Sequence, residues 1–191
     1  MRRPGTTAAL TGTALLLALG IILPITFHML PLGGRIFLPM HLPAFIAGLL
    51  LGPVSGLVVG AGSPLMSLLL TGRPPIYLAV PMMFEIATYG IVAGLLRPRI
   101  ESVFHRATGT DGTLAGILPL HVTLIAAMLA GRIVWLAVVV WLAPVIGISG
   151  RSVALALGAI GAGWIGVAIQ LALIPAIVRV LEAGRPGNRT V

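Results

Sequence analysis

The sequence predicts an all-α polytopic membrane protein, a bundle of six transmembrane helices with both termini in the cytoplasm. Three observations carry that expectation. Of 191 residues, 58% are hydrophobic and 8% are charged, against about 25% charged in a soluble domain. That is too little charge to cover a soluble surface, and too much hydrophobicity for a disordered chain. Long apolar runs recur from end to end, each closed by Pro, Gly or Arg, and a helical span uses about 20 apolar residues. Finally, the arginines fall mostly into every second connection.

One transmembrane domain over residues 1–191 accommodates these runs, with no room for a soluble domain. The first span covers about 8–30. It is too long for a signal peptide and lacks a small-residue cleavage site, so it reads as a retained helix. Pro31-Leu32-Gly33-Gly34-Arg35 breaks it. The second span, about 39–51, is short and stops at Gly52-Pro53. The third covers about 54–70, and Gly72-Arg73-Pro74-Pro75 closes it. The fourth covers about 78–96 and is followed by a polar stretch over 97–112. The fifth, about 113–142, is long enough to tilt or break. The sixth covers about 152–181, before a polar tail.

Arginine placement orients the bundle, because cytoplasmic connections collect Lys and Arg. With the N-terminus inside, cytoplasmic segments hold Arg2, Arg3, Arg97, Arg99, Arg106, Arg179, Arg185 and Arg189. Outer segments hold Arg35, Arg73 and Arg151, and Arg132 lies within span five. All twelve basic residues are Arg, and the net charge is +8. They lie between apolar runs rather than on one soluble face, so nucleic acid is not an expected partner. There is no cysteine, hence no disulfide or thiolate metal site. The setting is the cell membrane, crossed several times.

Ionisable residues within spans are costly and mark function or a buried pair. Counting about 1.5 Å per residue, Glu85 in span four and Arg132 in span five fall at comparable depth in the outer half. They are placed to pair, as a structural salt bridge or facing a ligand cavity. His28 and His41 border the first outer connection, where water can satisfy them or a ligand can bond them. Tyr77, Tyr89, Trp135 and Trp141 lie in the outer half or at its rim, as a membrane belt or as stacking surfaces for a flat ligand. His121 and Gln170 fall in the inner half and read as packing or interhelix hydrogen bonds. The polar groups thus gather on the outer half. A channel or proton relay needs them through the full thickness, whereas a binder loading from outside needs only this half. Three outer arginines favour an anionic ligand.

Small residues give a second signal. Ala14/Ala18 in span one, and Gly48/Gly52 and Gly56/Gly60 around the turn between spans two and three, are small-x-x-x-small pairs. Such pairs let helices approach closely, within the bundle or against another subunit. Enzyme signatures are lacking: there is no HExxH, no close acidic pair and no GxxxxGK[ST]. Gly147-Ile148-Ser149-Gly150 matches GxSG, but no His follows it to act as base. No enzyme activity, metal or cofactor is therefore expected.

The stretch GRIFLPMHLPAFIAGLLLGP over residues 34–53, the continuation SGLVVGAGSPLMSLLLTGRPP, and PMMFEIATYGIVAGLL over 81–96 resemble the substrate-binding S components of energy-coupling factor (ECF) transporters, the vitamin importers of prokaryotes. Beyond residue 96 the likeness is one of span count, length and hydropathy. The resemblance implies a six-helix S component in the prokaryotic cell membrane that binds a vitamin or precursor near the outer face. It also implies partners: a transmembrane T component and two cytoplasmic ATPases, with transport by toppling of the S component in the bilayer. The family's Ala-x-x-x-Ala docking pair on span one corresponds to Ala14 and Ala18. Its ligand pocket, lined by the first and third outer loops and spans four to six, corresponds to Arg35, Phe37, Arg73, Tyr77, Glu85, Tyr89, Arg132 and Trp135. His41 joins them by its depth and its LPMHLP setting. A cobalamin precursor, pantothenate or folate are the substrates the resemblance brings into view. The competing reading is a small stand-alone transporter or channel without ATPases, which requires a polar path through the inner half.

Overall fold

The computed structural model describes residues 5–28, 39–108, 113–142, 145 and 164–184. Among them the chain forms six α-helices, a π-helical turn and no strand. These are α1 (Thr6–His28), α2 (His41–Leu51), α3 (Pro53–Thr71), α4 (Ile76–Thr108), α5 (Thr113–Ala137) and α6 (Trp164–Ala183). The π turn, Val138–Leu142, extends α5. The segments Thr6–Thr26, Pro53–Thr71, Ile76–Ala107, Ile117–Trp141 and Ile165–Ala183 are long and apolar enough to cross a membrane, and α2 is a shorter apolar helix. The chain is a multi-pass helical membrane protein.

The helix boundaries have local causes. Between α2 and α3 the chain turns on Gly52, whose φ of 106° is open to glycine and strained for other residues. Pro53 then starts α3 at a position where its missing N–H costs no helical bond. Gly72, at φ 69°, closes α3 in the left-handed conformation, and its N–H returns to Leu68 O at 2.8 Å.

Helix α4 is the central element, packed on α2, α3 and α5. Its 33 residues reach about 50 Å, well beyond a hydrocarbon core of about 30 Å. The polar stretch after residue 96 is thus helical to Thr108. Leaving the apolar layer does not end a helix that has an i,i+4 ion pair, here Arg97 Nε to Glu101 Oε1 at 2.8 Å.

Glycines set the spacing around α4. A methyl group on Gly90 would run into the backbone of Gly56, and one on Gly48 into the backbone of Gly90. At Gly94 it would stand 2.6 Å from Pro53 N, and at Gly60 2.6 Å from Ile86 C. Gly48, Gly56 and Gly60 therefore seat α4 in the angle between α2 and α3, inside the bundle, whereas a methyl on Gly52 would meet nothing within 4 Å and that residue serves the turn. The larger apolar core fills the side toward α5 and α6, where Phe45, Leu49, Tyr89, Ala93, Leu120, Leu124, Met128, Ile174 and Val178 pack together.

At one end, Arg97 closes the bundle. It is 3% exposed. Its NH1 donates to Leu49 O in α2 at 3.0 Å, and its NH2 to Glu182 in α6 at 2.5 Å. One guanidinium thereby holds α2, α4 and α6 at a common level. The sequence reading counted Arg97 only among the interfacial positive charges.

Helix α1 packs on α2 and α3 and is the least covered of the long helices. Its inward edge carries Gly12 beside Leu51, Gly20 beside Ser63, and Thr13, whose hydroxyl donates to Ser55 Oγ at 2.9 Å. Its outward face carries Leu10, Ala14, Leu15, Ala18, Leu19 and Ile22, all exposed.

Candidate functional site

Within the bundle, toward the end where α4 begins and α5 closes, Glu85 and Arg132 form an ion pair, with Arg132 NH1 3.0 Å from Glu85 Oε1. The pairing follows from helix direction. Residue 85 is nine positions into α4, and α5 runs antiparallel to it, so residues at matching depth meet. Tyr89, one turn further along α4, donates its hydroxyl to the same Glu85 oxygen at 2.5 Å. A single buried carboxylate oxygen thus receives two donors, one of them charged.

Tyr89 is held from the other side by α2. Its ring stacks on Phe45 at 5.0 Å between centroids, with planes 13° apart, and lies tilted against His41 at 5.4 Å. It is 2% exposed, so its ring serves as packing beneath Glu85. Gly131, the residue before Arg132, makes room for it: a methyl there would enter the Tyr89 ring and stand 3.0 Å from Glu85 O. Phe45 and Gly131 were missed in the sequence. Phe45 is an ordinary apolar position there, and Gly131 was visible only as the neighbour of a charged residue.

The other expected site residues separate. His41 opens α2, is buried, and joins the cluster through Tyr89. Trp135 is 3% exposed and packs with Val139 and Leu78. It forms an interior wall one turn beyond Arg132 and cannot belong to a lipid-facing belt. Trp141, at 78% exposure, has the outward placement a belt requires. Tyr77 is half-buried at the start of α4, and Arg73 is exposed on the connection before it. Arg35 and Phe37 lie outside the described residues, as do Arg151 and the GxSG segment. His28 ends α1. In α5, His121 Nδ1 lies 3.0 Å from Ile117 O, a bond within its own helix.

The two partners of the ion pair differ in one respect that bears on binding. The Glu85 side chain is 3% exposed and that of Arg132 is 26% exposed. Glu85 is enclosed by protein, while part of the Arg132 guanidinium or its stem remains accessible.

A multi-pass helical bundle with a charged cluster inside its apolar layer is a membrane protein whose intramembrane charges mark a functional site or a buried pair. The model of the family described as ECF transporter, substrate-specific component, matches residues 8–179. The chain belongs to this family. No curated protein and no solved structure matches it.

Proposed function

We propose that the chain is the subunit that captures a vitamin or vitamin precursor at the outer face of a prokaryotic cell membrane. It passes that cargo on through a transmembrane T component driven by two cytoplasmic ATPases, and performs no chemistry of its own. With the N-terminus cytoplasmic, the Glu85–Arg132 cluster lies in the outer half and the Arg97 clamp on the inner side. His41, Arg73, Tyr77 and Arg132 line the approach, and Arg35 and Phe37 are assigned to it by their place in the sequence. Glu85, Tyr89 and Trp135 form its floor and wall.

The observation that carries the coupling part of this reading is the two-sided character of α1. Its glycine edge is used within the chain, and Ala14 and Ala18 are left on the exposed face. In lipid, helices associate through small residues that permit close approach, and this pair lies exposed on the outward face of α1.

Replacing both Ala14 and Ala18 with Trp is expected to reduce co-purification of the T component and ATPases at least about tenfold, since bulk at a small-residue seam blocks helix approach. Thermal stability and substrate retention should be unchanged. Loss of fold or of substrate retention together with assembly would contradict the docking role.

A further inference from the structure

We infer that Arg132 is the seat for a carboxylate of the captured molecule, with Glu85 and Tyr89 as positioning residues that hold its guanidinium. This deepens the proposed capture function and rests on it.

The first support is geometric. A guanidinium offers five N–H donors in a planar fork. Arg132 meets Glu85 with NH1 on one oxygen, Oε1, which the Tyr89 hydroxyl also occupies. The contact is one-pronged, and the Arg132 side chain is much the more accessible of the two. The remaining fork matches two parallel acceptors, as in a carboxylate, and such bidentate pairs are among the strongest hydrogen-bonded contacts.

The second support is the charge of this end of the bundle. Among the described residues Arg73 and Arg132 belong to it, with Glu85 as its acidic residue. Glu101 and Glu182 are bound to Arg97 at the opposite end. Among the described residues no second carboxylate stands here. A guanidinium at membrane depth is stable when it faces a polar partner rather than lipid, so the further acceptor comes from solution.

The third support is rigidity. Phe45 and His41 fix the Tyr89 ring, and Gly131 allows that ring to lie against α5. Tyr89 and Arg132 both fix the Glu85 carboxylate. The NH1 end of the guanidinium is therefore anchored before the anion arrives, which lowers the ordering cost of binding.

The test uses the full chain in nanodiscs of uncharged lipid, with para-fluorobenzoate and para-fluorobenzamide as probes read by fluorine NMR. Saturable binding of the acid but not of the amide is expected. Arg132→Gln should weaken the acid at least about tenfold, the loss of one charge-assisted fork. Glu85→Gln should tighten it, because the amide oxygen still accepts from Arg132 and Tyr89 and so keeps the guanidinium in place, while the competing negative charge is removed. Because Arg132→Gln leaves the buried Glu85 carboxylate without its cation, the Glu85→Gln/Arg132→Gln double variant, which leaves no charge, is measured beside it as the control for folding and should also lose the acid. Equal binding of acid and amide, absence of acid binding, wild-type affinity in the double variant, or weakening by Glu85→Gln would each overturn the assignment. A neutral compound released from the purified protein would overturn it too, while leaving substrate capture in place.

Discussion

Replacing Arg97 with Ala is expected to destabilise the protein by about 3–5 kcal/mol, the cost of breaking a buried ion pair by removing one partner. The effect is large because three acceptors on three helices lose their donor together: Leu49 O in α2, Glu101 in α4 and Glu182 in α6. Two carboxylates lose the guanidinium they share, and Glu182 is only 16% exposed. Arg97→Lys should recover part of the loss, since a point charge satisfies the carboxylates but cannot span all three acceptors as the planar fork does. Denaturant unfolding of the purified protein measures both. An Arg97→Ala variant within about 0.5 kcal/mol of wild type, the range of an ordinary surface substitution, would mean that the clamp does not hold the bundle.

Gly90→Leu is expected to abolish the native bundle, and Gly90→Ala to cost about 3 kcal/mol, the upper part of the range for overpacking. The Cβ would meet backbone atoms of Gly56, among them Cα at 2.6 Å. Backbone has no rotamer to move aside, so α3 and α4 must separate. Gly12→Ala is the informative comparison. Its Cβ meets only the end of the Leu51 side chain, at 3.0 Å, and Ala gains up to about 1 kcal/mol over Gly within a helix. Gly12→Ala should be neutral or stabilising. Equal losses at Gly12 and Gly90 would contradict the account of α4 seated against α3 by backbone contact.

Hydropathy and residue counting place a side chain in depth, and that accounts for what could be read in advance. Glu85 and Arg132 stood out because charges within apolar runs are rare. Counting turns then put them at one level, and they pair. The all-helical membrane fold followed from apolar runs and punctuation alone. What counting does not resolve is the direction in which a residue points around its helix. Trp135 and Trp141 lie six residues apart in one apolar run, yet one is buried against Leu78 and the other is among the most exposed side chains. Ala14 and Gly12 are both small residues on α1, yet one faces outward and the other inward. Gly90 and Gly94 have the same four-residue spacing as the pairs noticed in α2 and α3, and the contact they make is visible only with all three helices in place. Arg97 follows the apolar run that ends at Leu96 and precedes Pro98, a setting that in one dimension is indistinguishable from a solvated interfacial charge. Its partners are remote in sequence, Leu49 and Glu182.

The central claim is that this chain captures a small molecule for an ECF transporter. Mass spectrometry of compounds released by denaturing the purified protein tests it most directly, using cells grown in medium replete with vitamins and their precursors. The account predicts a single vitamin-sized compound at about one per chain, bearing a carboxylate, since a tight site keeps its occupant through purification when the dissociation constant is far below the protein concentration. Release of no compound above the level found with an unrelated membrane protein prepared in parallel would contradict it.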